Sequence, residues 1–116
     1  MDDIKTCILI KTEQGLEKVL KEKDPCFVLF YADWCPFSLR FLPIFETCAK
    51  KTNSRCYRMT IDQHPDLCER YGIEVYPTVI FFEKGKVVKR LDGTHGVGLS
   101  EQQFRDLITV CESRKQ

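Results

Sequence analysis

Residues 26–38 read CFVLFYADWCPFS, an apolar run that passes into a tryptophan, a cysteine and a proline. The run from Cys26 to Ala32 is apolar without alternation, which is typical of a β-strand covered on both faces. We therefore expect this strand at the centre of a sheet. From Pro36 to about Lys51 the apolar residues keep helical spacing, and Pro43 inside that segment predicts a kink. Cys35 thus stands where the central strand ends and a helix begins.

Two further pairs of a strand and a helix precede and follow this unit in the pattern of an α/β protein. Residues 7–10 form a short apolar strand, and Thr12 can cap the helix after it. Residues 56–61 alternate with period two and predict another strand. The next helix opens at His64-Pro65-Asp66 and ends at Gly72.

The C-terminal third predicts a hairpin and a closing helix. Residues 77–82 and 87–91 flank a short loop with a glycine, residues 83–86, and should pair antiparallel. Ser100 and Gln103 form a capping box ahead of an amphipathic segment. The predicted order is β-α-β-α-β-α-β-β-α. We expect residues 1–116 to form a single α/β domain on one mixed sheet with helices on both faces.

Composition excludes several classes of protein. Of 116 residues, 43% are hydrophobic and 30% charged, and 18 Lys and Arg against 17 Asp and Glu leave a net charge of +1. That balance excludes a disordered chain and provides no overall field for nucleic acid or an anionic membrane. No apolar run approaches the roughly 20 residues of a membrane span, and residues 1–5 lack signal-peptide features. We expect a cytoplasmic monomer without nucleic-acid or membrane partners.

The chain carries seven cysteines, and their spacing argues against a metal site. The closest two are eight residues apart, so no C-x-x-C zinc knuckle exists, and no metal or cofactor is predicted. Those other than Cys35 are expected to pack as small apolar groups. Among them, Cys56 and Cys68 are expected to be the most accessible.

Cys35 is the candidate nucleophile. At a helix start, first-turn amides and the positive end of the helix dipole face the sulfur and favour the thiolate. Pro36 withholds one amide, which leaves those of Phe37 and Ser38, and the Ser38 hydroxyl could donate to the sulfur. Trp34 and Phe37 are large apolar groups at a strand-to-loop transition, where they serve recognition.

The second candidate feature is the segment Val75-Tyr76-Pro77-Thr78, which enters a strand. Proline cannot donate to a sheet ladder and is confined to strand starts, edges or bulges. A cis bond would leave the backbone groups of Tyr76 free to pair with an extended substrate, although local sequence alone favours trans. His95 lies in a glycine-rich loop that could border the same groove.

Taken together, these motifs make the chain resemble a thioredoxin over nearly its whole length. The resemblance rests on residues 30–35, Pro43, Ile61-Asp62, Tyr71-Gly72-Ile73, Tyr76-Pro77-Thr78, Phe81-Phe82 and Gly93. It implies a thioredoxin fold, thiol-disulfide oxidoreductase activity, Cys35 as the attacking thiol and a cis Pro77 packed against it. It also implies that a substrate groove is built by Trp34, Pro36, Phe37, Val75, Tyr76, Pro77 and Gly93. The implied partners are disulfide-containing proteins and an electron donor, either a reductase or a low-molecular-weight thiol.

The sequence departs from the thioredoxin pattern at two positions. Ser38 stands where the family has its second, resolving cysteine, and a hydroxyl cannot release a mixed disulfide. Leu29 stands where the family commonly buries a carboxylate, which fits a chain without a resolving thiol. Two explanations of Ser38 stay open. It is either native, giving a monothiol member, or an introduced change in a dithiol enzyme.

Two other functions are considered beside the oxidoreductase. One is a redox-inactive adaptor that retains clients covalently through Cys35, because residues 30–38 also resemble a monothiol chaperone domain of the endoplasmic-reticulum isomerases. The other is a monothiol glutaredoxin that ligates an iron-sulfur cluster with glutathione, because that family carries a Cys-x-Phe-Ser motif. Trp34 and the long second helix favour thioredoxin.

Overall fold

The computed structural model describes residues 7–113, in which five strands and four helices follow the predicted order. The strands are β1 (Ile8–Leu9), β2 (Cys26–Tyr31), β3 (Arg55–Thr60), β4 (Thr78–Glu83) and β5 (Lys86–Asp92). The helices are α1 (Glu13–Lys21), α2 (Pro36–Ala49), α3 (Pro65–Tyr71) and α4 (Glu101–Ser113). Each helix within residues 7–113 is too short or too polar to cross a lipid bilayer.

The five strands form one mixed sheet in the order β1-β3-β2-β4-β5. Strands β1, β3 and β2 run parallel, whereas β4 is antiparallel to both β2 and β5. All six residues of β2 are buried, because β2 has a partner on each side and helices over each face. The predictions of a mixed sheet, a central second strand and an antiparallel hairpin are confirmed.

Alternation along β2 divides the core into two clusters. Phe27, Leu29 and Tyr31 pack with residues of α2 and α4 on one face of the sheet. Cys26, Val28 and Phe30 pack with residues of α1 and α3 on the other. Helices therefore cover both faces, as predicted.

The helix ends follow the signals in the sequence. The Thr12 side chain accepts a hydrogen bond from the Gly15 N–H at 2.9 Å. Ser100 and Gln103 bond reciprocally, with distances of 3.2 Å to the Ser100 Oγ and 2.9 Å to the Gln103 Oε1. Gly72 ends α3 in the left-handed region at φ 62°. The predicted caps are confirmed.

Most strand boundaries differ from the predicted ones by one residue, and β1 and the hairpin turn differ further. Strand β1 has only two residues, because Cys7 takes φ 61° and leaves the extended conformation. The hairpin turn is the pair Lys84 and Gly85, at φ 58° and 78°, so it is shorter than the predicted loop. Pro43 lies inside α2, which runs unbroken from Pro36 to Ala49. The kink itself stays a prediction.

Candidate functional site

Cys35 lies between the central strand and α2, as predicted, and is the N-cap residue of that helix. Its backbone is extended at φ −88°, and Pro36 occupies the first turn of the helix. Cys35 is buried, with 8% of the residue exposed. The side chain makes no capping hydrogen bond, and the predicted stabilisation of the thiolate by the first-turn amides and the helix dipole stays a prediction. A thiol sulfur is a weak acceptor, and Pro36 has no amide hydrogen to offer.

Ser38 lies beneath the surface. It is fully buried, and its Oγ accepts a hydrogen bond from the Ala32 N–H at 3.2 Å. Among the hydrogen bonds of residues 7–113, none joins the Ser38 hydroxyl to the Cys35 sulfur. The expected hydrogen bond from Ser38 to that sulfur is therefore wrong. The reason is local. The end of β2 leaves the Ala32 amide without a strand partner, and Ser38 satisfies it.

The Tyr76-Pro77 peptide bond is cis. The expectation from local sequence was therefore wrong, and the one implied by the resemblance is confirmed. The Pro77 carbonyl accepts a hydrogen bond from the Gly93 N–H at 3.0 Å, and a Cβ on Gly93 would lie 2.6 Å from that oxygen. No hydrogen bond among the described residues uses the backbone of Tyr76. Its N–H and C=O are thus available to a bound extended chain.

Trp34 forms an exposed apolar surface beside the nucleophile. Its ring is 63% exposed, and its Nε1–H donates to the Asp62 carboxylate at 2.7 Å. The ring meets Tyr76 edge to face, with 6.1 Å between centroids. The other carboxylate oxygen of Asp62 is buried and has no partner within the described part of the chain. Sequence reasoning assigned Asp62 no role, although Ile61-Asp62 belongs to the family pattern and could have signalled it.

An open groove passes over Cys35. It is lined by Cys35, Phe37, Glu74, Val75, Tyr76, His95 and Gly96. The predicted residues Phe37, Val75 and Tyr76 are thus brought together with Cys35, and His95 borders the groove as expected. The other predicted residues, Trp34, Pro36, Pro77 and Gly93, do not line the groove. Glu74 and Gly96 are lining residues that the sequence did not indicate.

The Phe37 side of the groove is held by contacts with the loop after β5. The Arg40 guanidinium lies 5.5 Å from the Phe37 ring centroid and donates to the Val97 carbonyl. Gly98 lies so close that a Cβ there would be 2.9 Å from the Phe37 Cβ, and its φ of 84° favours glycine. These contacts fix the loop that carries His95 against the start of α2.

Electrostatics around the groove keep the Tyr76 phenol neutral. Burial raises its pKa most, and the neighbouring Cys68, Asp62 and Cys35 raise it further. Leu29, which stands where the family commonly buries a carboxylate, is fully buried among apolar residues. Among residues 7–113, no group of three or more His, Cys, Asp or Glu side chains is placed to hold a metal ion.

The remaining cysteines are free thiols, and most are buried, as expected of packing residues. Burial raises the pKa of Cys7 to about 11 and that of Cys26 to about 12. The prediction that Cys56 is accessible is wrong, because its side chain is 4% exposed beneath the helices of one sheet face. Cys68 is half-buried, with its sulfur 3.5 Å from the Ile61 carbonyl oxygen, so the expectation for Cys68 is confirmed.

Comparison with known proteins places this fold and groove in one family. A family model described as Thioredoxin matches residues 7–106. A thioredoxin of Rickettsia bellii is 36% identical over 81 residues, which cover 68% of this chain and 77% of that protein. Endoplasmic reticulum resident protein 44 of mouse is also 36% identical, over 85 residues that cover 66% of this chain. The match spans only 21% of that longer relative.

Solved structures agree with the sequence comparisons. A mutant thioredoxin from Halobacterium salinarum superposes with a TM-score of 0.77 at 27% identity, covering 90% of this chain and 88% of that one. A thioredoxin of Fasciola hepatica gives a TM-score of 0.76 at 28% identity, covering 88% of this chain and 96% of that one.

Proposed function

The chain belongs to the thioredoxin family, and from that premise we propose that it is a thiol-disulfide oxidoreductase whose nucleophile is Cys35. The observation that carries the proposal is the position of Cys35, which caps α2 and lines the open groove. The Cys35 thiolate attacks one sulfur of a protein disulfide. A bond forms between that sulfur and Cys35, the substrate disulfide breaks, and the second substrate sulfur leaves as a thiolate.

We further propose that resolution of this mixed disulfide needs a thiol from outside the chain. The resolving position holds Ser38, which is buried and bonded to the Ala32 amide. A serine hydroxyl does not attack a disulfide sulfur and displace a thiolate, so Ser38 cannot resolve the adduct. An incoming low-molecular-weight thiol can instead attack the Cys35 sulfur, which releases the reduced substrate, and a second thiol then frees Cys35.

The groove suits an extended segment of a partner protein. The unpaired backbone groups of Tyr76 can bond to the substrate backbone as in strand addition. Phe37 lines the groove, and the exposed Trp34 ring, which contacts Tyr76, adds apolar surface nearby. The groove is open, so the proposed substrates are disulfide-bonded proteins. We expect the chain to act as a monomer, without nucleic acid or membrane.

The adduct itself provides the test. Incubation with a disulfide-bonded protein such as insulin should give a covalent adduct on a non-reducing gel, and glutathione should release it. Cys35→Ser should give no adduct. Cys68→Ser is the matched control, because Cys68 is the most exposed of the other cysteines, and it should retain the adduct. Equal adduct formation by the Cys35→Ser variant would refute the proposal.

The origin of Ser38 has its own experiment. Ser38→Cys is tested for reduction of insulin disulfides with a thioredoxin reductase and NADPH. A clear gain in turnover over the Ser38 protein supports a dithiol parent, since the new thiol can attack the mixed disulfide. Equal turnover by both proteins rules that parent out and supports a native monothiol.

Covalent retention of clients is a second candidate function, favoured by the similarity to endoplasmic reticulum resident protein 44. A retention adaptor holds its client and turns over slowly, whereas a reductase completes many cycles. The number of substrate disulfides reduced per protein molecule in excess glutathione distinguishes the two functions.

The cytoplasmic localisation stays a prediction, and imaging of the tagged full-length protein in its native cell would test it.

A further inference from the structure

Cys7 and Cys56 lie side by side at the edge of the sheet. In the parallel β1–β3 pair, Ile8 is the register partner of Tyr57 and Leu9 that of Arg58. One step back along each chain sets Cys7 beside Cys56. Both residues belong to the same buried cluster, so their side chains share one face of the sheet. Cys7 and Cys56 directly precede the register partners Ile8 and Tyr57. Neighbouring strands lie about 4.7–4.9 Å apart, and a disulfide bridges Cα atoms about 4.4–6.8 Å apart, so the pair that adjoins these strands is placed for a disulfide.

We propose that Cys7 and Cys56 form a disulfide when the protein meets a hydroperoxide, which gives the chain a second redox site distinct from Cys35. Both cysteines are free thiols in this structure. The site belongs to β1 and β3, at the sheet edge, whereas Cys35 follows the central strand. The inference therefore stands apart from the proposed reduction of protein disulfides.

The surroundings of the pair make Cys7 the thiol that reacts first. Burial raises the pKa of Cys7 to about 11 and the Glu46 carboxylate raises it further, whereas the Arg58 guanidinium acts in the opposite direction. The Arg58 Nε is buried without a hydrogen-bond partner among the described residues, so it is free to stabilise a negative sulfur. Burial also raises the pKa of Cys56, and the neighbouring Cys7, Cys26, Glu112 and Cys48 raise it further.

Access to the pair comes from the shortness of β1. The two side chains are only 7% and 4% exposed, so an oxidant does not reach them in the closed fold. Strand β1 has two residues and only β3 as a neighbour, and short edge elements open locally at small free-energy cost. Opening exposes Cys7 while Cys56 stays in β3.

The chemistry balances with a hydroperoxide as the oxidant. The Cys7 thiol gives up its proton and its sulfur attacks the terminal peroxide oxygen. The O–O bond breaks, hydroxide or an alkoxide leaves and takes up that proton, and Cys7 becomes a sulfenic acid. The Cys56 thiol then attacks the Cys7 sulfur, the S–O bond breaks, and water leaves with the Cys56 proton. Two thiols are oxidised by two electrons and one hydroperoxide is reduced. A dithiol reductant reverses the product.

Two other cysteines are the natural rivals and controls. Cys48 on α2 belongs to the same cluster as the pair and could compete for Cys56. Cys26 also lies near Cys56 along the sheet, but its register partner is Arg55 and its side chain belongs to the cluster on the opposite face. Replacing Cys26 should therefore leave the disulfide intact.

The test uses the full chain with Cys35→Ala, which prevents mixed disulfides between molecules. After hydrogen peroxide treatment, the intact mass should fall by two hydrogen atoms. A non-reducing tryptic digest should contain residues 6–11 linked to residues 56–58. Adding Cys26→Ser should preserve this linked peptide, and adding Cys7→Ser should abolish it.

The peptide map decides the inference even if a cysteine variant folds poorly, because it is made on a chain that keeps Cys7 and Cys56. A link from residues 56–58 to residues 41–50, which carry Cys48, would overturn the assignment. Cys7 and Cys56 recovered as unlinked peptides, with oxidation confined to other residues, would overturn it as well.

Discussion

Gly93 has no room for a side chain. A Cβ there would lie 2.6 Å from the Pro77 carbonyl oxygen, which also accepts the Gly93 N–H bond. Backbone at that distance must move, and the backbone that moves belongs to the cis turn beside Tyr76. The Tyr76 backbone thus stays available to a substrate because residue 93 is a glycine and has no Cβ.

Gly93→Ala is expected to slow adduct formation with a protein disulfide by about tenfold to a hundredfold, because a displacement of about 1 Å at a binding group has effects of that size. The rate of adduct appearance on non-reducing gels measures it. Gly72→Ala is the control. Its φ of 62° makes alanine unfavourable by about 1 kcal/mol, but nothing lies within 4 Å of the new Cβ. If both variants form the adduct at the wild-type rate, Gly93 does not shape the site.

Ser38 has a structural task besides its place in the active-site motif. Ser38→Ala leaves the buried Ala32 N–H without its acceptor, which is expected to lower the free energy of unfolding by about 1–3 kcal/mol. Urea denaturation measures the change. Adduct formation should persist, because the hydroxyl takes no part in the attack. Leu39→Ala, at the next and exposed position, should change stability much less. Loss of the adduct in folded Ser38→Ala would contradict this separation of roles.

Individual residues were predicted well where the chemistry is local. Cys35 follows from a buried strand that meets a proline-started helix, and His95 from the glycine-rich loop around it. The isomer of Pro77 was not predictable from its neighbours, since the cis bond belongs to a turn secured by Gly93, sixteen residues later. The partner of Ser38 was missed for a similar reason, because the free amide of Ala32 appears only when β2 ends against α2.

Among the elements, α4 places one aromatic side chain, Phe104, in the core on the α2 side. Phe104 is fully buried, and its ring meets those of Phe27, Phe41 and Phe45 at centroid distances of 5.6, 5.9 and 5.0 Å. This cluster supports α2, whose first turn positions Cys35.

Phe104→Ala is expected to lower the free energy of unfolding by about 3–5 kcal/mol, because it removes buried surface and leaves a cavity. Urea denaturation measures this loss, which should appear as a lower midpoint while the dependence of the unfolding free energy on urea concentration stays unchanged. Gln102→Ala, on the exposed side of the same helix, should change stability by about 0.5 kcal/mol or less. A loss for Phe104→Ala no larger than that of Gln102→Ala would show that α4 is not anchored by this ring.

Elements were predictable because their signals act over short distances. Apolar periodicity and caps at Thr12, Gly72 and Ser100 placed the helices, and the order of the elements followed. The boundaries that were missed depend on single backbone angles, as at Cys7 and at the Lys84-Gly85 turn. Such angles depend on packing across the sheet, which the local pattern does not contain.

At the scale of the whole molecule, the sheet distributes thiols into both halves of the core. Cys26 lies on the α1/α3 side, whereas Cys7, Cys48 and Cys56 lie on the α2/α4 side. Burial raises the pKa of all four, with Cys26 reaching about 12 from an ordinary value of 9.0. The folded chain therefore keeps protons that the unfolded chain gives up in mild alkali.

This difference predicts alkaline loss of stability. Below pH 9 both states hold the Cys26 proton and stability does not depend on it. From about pH 9 to about pH 12 only the unfolded state releases the proton, so the free energy of unfolding falls by up to about 1.4 kcal/mol per pH unit for that group. The measurement is denaturation between roughly pH 8 and pH 11, a range that includes the onset of this proton release. Over that range the free energy of unfolding of Cys26→Ala should fall less steeply than that of the unmodified protein. Val28→Ala removes a buried neighbour on the same face that does not titrate, so it should lower stability at every pH and keep the original slope. Parallel slopes for Cys26→Ala and the unmodified protein would mean that this thiol does not contribute to the alkaline transition.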